Sequence, residues 1–110
     1  MTVEISERPG FSLVTLVGSI DGKTAPEVQE GLRPIFDGSG NVVMDMTAVD
    51  YMSSAGLRLL LLVYRDFTAR RRKLVLAGLS SEIRTVMQHT GFLGFFSLAD
   101  SVEQAQQVLA

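Results

Sequence analysis

The sequence predicts a single α/β domain: a mixed, mostly parallel sheet of about five strands with about four helices, in the order ββαβαβαβα. Three observations lead there. Short apolar and β-branched runs alternate with amphipathic segments of helical length, a pattern that implies crossover connections and a largely parallel sheet. Pro9-Gly10 lies between the first two runs, and such a turn signal makes them a hairpin with one antiparallel pairing. The chain has 110 residues, 46% of them hydrophobic, which suits one domain, residues 1–110, with a core of its own.

The elements follow in order. Thr2 to Ser6 and Phe11 to Val17 form the hairpin strands. Thr24-Ala25-Pro26-Glu27 opens a helix, with Thr24 and Glu27 spaced as a capping box and Val28, Leu32, Ile35 and Phe36 on one face. Pro34 ends or kinks it. Asn41 to Met46 is a short apolar strand entered through Gly38-Ser39-Gly40. Ala55 to about Arg71 is Leu-rich and long enough for a helix, with apolar residues almost all round between Leu59 and Tyr64. Such a helix is covered on more than one side. Lys73 to Ala77 is a strand and Ser80 caps the next helix, which stops at Gly91. Phe95 to Leu98 is the last strand. Asp100 with Glu103 starts the final helix through a second capping box.

Composition excludes several classes of function. There is no cysteine, so disulfide frameworks and thiolate metal sites are ruled out. The net charge of −2 sets up no strong field for nucleic acid. The one basic run, Arg70-Arg71-Arg72-Lys73, reads as cations at a helix end, where carbonyls and the dipole favour them; a phosphate-binding patch is the alternative. No basic stretch followed by an apolar one opens the chain, and the apolar run Leu59 to Tyr64 is far too short to span a bilayer. A soluble, cytoplasmic protein without membrane contact is expected.

The informative stretch is Thr47-Ala48-Val49-Asp50-Tyr51-Met52-Ser53-Ser54-Ala55-Gly56-Leu57. It leaves the carboxyl end of a central strand, where partner and ligand sites on α/β sheets concentrate, and enters a helix. A helix start carries unpaired N–H groups and partial positive charge, so a phosphate on Ser54 would be stabilised there. Phosphorylation adds about −1.5 to −2 charges and three strong acceptor oxygens. A plain Ser-Ser cap is the simpler reading. Tyr51 and Met52 are either core residues or part of an exposed patch. Asp21, closing another strand, is either a turn acid or a neighbour of Ser54 on the same sheet edge.

Three segments together resemble the STAS domains, named for sulfate transporters and anti-sigma factor antagonists. Gly18-Ser19-Ile20-Asp21-Gly22-Lys23-Thr24-Ala25 is similar to the family's Gly-x-Leu-Asp-x-x-Thr-Ala segment. Val42 to Asp50 matches its apolar strand, and Ser54-Ala55-Gly56-Leu57 its phosphoacceptor motif. Ser53 stands where many members have Asp, and Ala55 where many have Ser or Thr. The resemblance implies an anti-sigma factor antagonist with no cofactor of its own. Its unmodified form binds an anti-sigma factor that is also a serine kinase, which releases the sigma factor. The kinase, using ATP and Mg²⁺, phosphorylates Ser54 and ends binding; a PPM-type phosphatase restores it. Asp21, Tyr51, Met52, Ser53, Ser54 and Gly56 are the expected partner-binding residues. The oligomeric state stays open. The alternative is a STAS scaffold or accessory subunit that is never phosphorylated, for example of a lipid-transport ABC system.

An enzyme is not expected. Met52-Ser53-Ser54-Ala55-Gly56 is loosely like a nucleophile elbow, but Met52 replaces its first Gly. His89 is the only histidine, and at a helix end it reads as a dipole partner. No Gly-rich nucleotide loop and no metal pair is present.

Overall fold

A computed structural model describes residues 1–109. Strand β1 (Thr2–Arg8) turns through Pro9 and Gly10 into β2 (Phe11–Ile20), and the two pair antiparallel. Gly10 takes a positive φ of 88° in that turn, a conformation that glycine enters without steric cost. Helices α1 (Ala25–Gly31) and α2 (Arg33–Asp37) lead to β3 (Val42–Met52), α3 (Ser54–Ala69) to β4 (Leu74–Ala77), and α4 (Ser81–His89) to β5 (Ser97–Ala99). Helix α5 (Val102–Leu109) closes the described chain. The predicted first helix is thus two, broken at Leu32, and Pro34 sits in the first turn of the second. There its missing N–H costs nothing. A 3₁₀ turn over Leu93–Phe95 delays the last strand by two residues relative to expectation.

The five strands lie in sequence order, with every pairing after the hairpin parallel. Each crossover therefore steps in the same direction, and right-handed connections put α1 to α4 on one face. That face holds the large core: Val14, Leu16, Met44, Met46 and Leu76 of the sheet against Val28 and Leu32 of α1 and its C-cap, Leu60, Val63 and Phe67 of α3, and Met87 of α4. Only α5, coming after the last strand, packs on the other face, where Ala105 meets Leu13, Val43, Val75 and Ala99. The Leu-rich α3 is covered by the sheet and by α1, which accounts for its broad apolar surface.

Two expected caps form differently. Ser101, not Asp100, caps α5: its Oγ accepts from the Gln104 N–H at 3.2 Å. The basic run caps a neighbouring helix end rather than its own. Arg70 donates to the carbonyls of Phe36 and Gly38. Arg72, 8% exposed, donates at 2.7 Å to the carbonyls of Ile35 and Gly40 while its guanidinium stacks on Phe67, 4.0 Å from the ring centroid. These bonds tie the last turn of α2 and the loop after it to the segment that follows α3, and the Ile35 carbonyl, which also accepts from the Gly38 N–H at 3.2 Å, takes a second donor. Arg72→Ala is expected to lower stability by about 2–4 kcal/mol, the loss of two charge-assisted bonds, read as a fall in the urea midpoint. An unchanged midpoint would remove Arg72 from the account of this loop.

A candidate docking and modification site at the start of α3

Strand β3 is longer than its apolar run suggests. It continues past the Asn41 to Met46 run expected from sequence as far as Met52, and its end pairs with the end of β2: Ser19 with Tyr51, Ile20 with Met52. Two register shifts, at Thr15/Val17 and Gly18/Ser19, absorb the extra residues of β3. Such bulges bend a strand and re-aim its side chains, and here Ser19 Oγ donates to Asp50 Oδ1 at 2.8 Å across the second one. The pairing ends with the Ser53 N–H donating to the Ile20 carbonyl at 2.9 Å. Asp21 follows Ile20 directly, so the loops that carry Asp21 and Ser54 share one edge of the sheet.

The two serines do different work. Ser53, in extended conformation, is the N-cap of α3: its Oγ accepts from the Ala55 N–H at 3.2 Å. Ser54 is the first helical residue and is exposed. No acid stands in the first turn, so the partial positive charge of this helix end is uncompensated by the helix's own side chains.

Asp21 organises the neighbouring loop. Its Oδ1 accepts from the N–H groups of Lys23 and Thr24 at 2.9 and 3.0 Å. Those two backbone bonds, Thr24 first, hold its carboxyl below the ordinary value of 3.8, with the Lys23 charge adding to the effect. Since the folded form favours the carboxylate, this contribution to stability is present above the unfolded value and lost as pH falls through the lowered one. Thr24 does not make the expected capping box. Its backbone is already helical, and its hydroxyl donates to the Ser19 carbonyl at 2.7 Å while accepting from the Asp21 N–H.

Of the expected contact residues, Tyr51 is 56% exposed, but Met52 is 5% exposed and Gly56 is buried. The last two lie beneath the surface that Tyr51 presents. The alternation of a strand explains the difference between Tyr51 and Met52. Gly56 is needed for close approach. A Cβ there would lie 2.6 Å from Met52 Cγ and 2.9 Å from the Ile20 carbonyl oxygen.

Sequence reasoning missed the rest of this surface. Gly22, Ala25 and Pro26 with Ala55, Arg58 and Leu62 line a shallow groove of about 360 Å³ between the start of α1 and α3, and Leu62 is 44% exposed there. On the other side, Tyr51 shares a small cleft of about 160 Å³ with Asp50, Glu82 and Val86. Arg58 and Leu62 carried no signal, since both read as ordinary members of a Leu-rich helix. Among the described residues no group of three His, Cys, Asp or Glu side chains is placed to hold a metal ion. Among the described residues no helix is long and apolar enough to cross a membrane.

A family model of the STAS domain matches residues 2–105. The chain belongs to the STAS domain family. Among its STAS relatives, BtrV of Bordetella bronchiseptica, provisionally named an anti-sigma factor antagonist, is 34% identical over 106 residues, covering 96% of this chain and 91% of that protein. The anti-sigma-B factor antagonist of Listeria monocytogenes is 34% identical over 93 residues, 83% of this chain and 82% of that one. In structure, an anti-sigma factor antagonist from Mycobacterium paratuberculosis superposes with a TM-score of 0.88 at 24% identity, covering 98% of this chain and 92% of that chain. SpoIIAA of Bacillus in its phosphorylated form has the same fold, with a TM-score of 0.75 at 18% identity over 99% of this chain and 100% of that one.

Two predictions follow from this geometry. Ser53→Ala removes a cap and is expected to cost about 1 kcal/mol, whereas Ser54→Ala stays within about 0.5 kcal/mol of the parent; urea unfolding of the pair measures the contrast, and equal losses would refute the division of roles. Gly56→Ala is expected to destabilise by about 1–3 kcal/mol through overpacking, although alanine is the better helix former. Thermal melting checks it, and a raised Tm would show that the junction has room.

Proposed function

We propose that this STAS domain is an anti-sigma factor antagonist acting in the cytoplasm, and that phosphorylation of Ser54 switches it off. Unmodified, it binds an anti-sigma factor with serine kinase activity, and the sigma factor held by that protein is released. The partner binds ATP and Mg²⁺. Ser54 Oγ attacks the γ-phosphorus, ADP leaves, and the hydroxyl proton passes to a base of the kinase. A PPM-type phosphatase hydrolyses the ester and returns the active form.

The observation that carries this reading is the position of Ser54: exposed at the first residue of α3, one residue past the cap that the helix start uses. A phosphate there meets free N–H groups and the positive helix end, and the fold does not use the hydroxyl it consumes. Asp21 and Tyr51 present a charge and an aromatic ring on the same edge. Both suit a docking surface, since exposed aromatic groups are typical anchors. The names of the Bordetella and Listeria relatives support the antagonist role.

One feature favours a second reading, a STAS scaffold or accessory subunit that is never modified. Ser53 caps α3 without charge, and the first turn holds no acid to orient an acceptor or bind a kinase. Intact mass after incubation with the cognate anti-sigma kinase and ATP separates the two. One added phosphate, absent in Ser54→Ala, is expected; no gain with a kinase that binds the chain would favour the scaffold. Ser54→Asp should weaken that binding about tenfold or more with an unchanged circular dichroism spectrum, and equal affinity by calorimetry would show that charge at Ser54 is not the switch.

A further inference from the structure

We propose that Arg58 is the intramolecular partner of phosphorylated Ser54, so that modification both adds negative charge to the docking face and withdraws a cation from it. The proposal rests on the reading of Ser54 as acceptor and concerns how that same site is regulated.

Ser54 opens α3 and Arg58 stands four residues on in the same regular helix. At that spacing two side chains lie on one face, their Cβ atoms about 5–6 Å apart, and the order is the favourable one, anion toward the N-terminus and cation after it. Both residues are exposed, so neither is held by the core. Arg58 is also uncommitted. The ion pairs among the described residues join Glu30 to Arg33 and Asp66 to Arg70, and no carboxylate stands in the first turn of α3. Lys23, the other cation on this edge, already lies within reach of the Asp21 charge.

Arg58 lines the groove with Pro26, Ala55 and Leu62, on the surface a partner covers when it docks beside Ser54. In the unmodified chain the guanidinium is free to meet an acidic group of that partner. A phosphate one turn away offers three strong acceptor oxygens, and a planar guanidinium takes two of them at once. The partner then faces a new anion and loses its cation together.

Phosphoserine installed at position 54 during translation, through an orthogonal tRNA, tests the pairing without any kinase. Titration by ³¹P NMR reads the second ionisation of the phosphate. Arg58→Gln is expected to raise that pKa by about 0.3 units or more, Arg58→Lys to recover part of the shift, and added salt to narrow the difference. An unchanged pKa in a natively folded Arg58→Gln chain overturns the pairing. With the anti-sigma factor as probe, Arg58→Gln should weaken binding of the unmodified chain several-fold, and the further loss caused by phosphoserine should be smaller than in the parent. Equal ratios would overturn the withdrawal of the cation. Failure of a kinase to modify Ser54 would count against the acceptor reading alone, because the installed phosphate is titrated without it.

Discussion

The geometry of this protein depends on one junction, where β3 stops and α3 starts within a single residue. The Ser53 amide closes the sheet on the Ile20 carbonyl, and the Ser53 hydroxyl starts the helix on the Ala55 amide. A helix leaving a strand so abruptly must lie close against it, and Gly56 permits this because any Cβ would strike Met52 and the Ile20 carbonyl. Strand pairing, capping and close packing thus converge on residues 53–56. Together they hold Ser54 on the edge that the end of β2 and Asp21 also occupy. Loosening any of them would move the hydroxyl relative to its neighbours without touching it.

The same junction separates stability from chemistry. Capping needs an oxygen whose lone pairs face the helix, and Ser53 provides it. A modifiable hydroxyl needs the opposite, freedom and exposure, and Ser54 has both. Were one serine to do both, phosphorylation would remove a cap as it added a charge. With adjacent serines Ser54 contributes little to the folded state, so a phosphate there would change what the surface presents rather than whether the domain folds.

Much of this was legible in the sequence. Alternating strand and helix patterns forced the parallel sheet, and Pro9-Gly10 the hairpin. The Ser80 cap forms as read, with Oγ accepting from the Ile83 N–H. What was misread has physical causes. The end of β3 looked like a loop because Thr47, Asp50 and Tyr51 break the apolar run, yet bulges let those residues point to solvent while Val49 and Met52 keep the core. Thr24 and Glu27 had capping-box spacing, but Asp21, three residues earlier, closes the turn and takes the hydroxyl of Thr24 into its own network. The duty of Arg70 and Arg72 at the end of α2 was invisible, because it joins segments more than thirty residues apart. Within the site, burial divided residues that sequence had grouped: Tyr51 faces out, while Met52 and Gly56 lie beneath.

The missing acid before Ser54 bears on how large a change a phosphate makes. At physiological salt the Debye length is about 8 Å, so distant charges count for little and the local balance decides what a partner feels. On this edge the carboxylates of Asp21, Asp50 and Glu82 stand with the cations of Lys23 and Arg58, so the unmodified face carries charges of both signs. An acid at position 53 would have biased that face negative beforehand and made a phosphate a smaller relative change. Against that mixed background, about two added charges would dominate the local potential. An uncharged Ser53 therefore does more than supply the cap, since it would leave a phosphate on Ser54 the larger relative change.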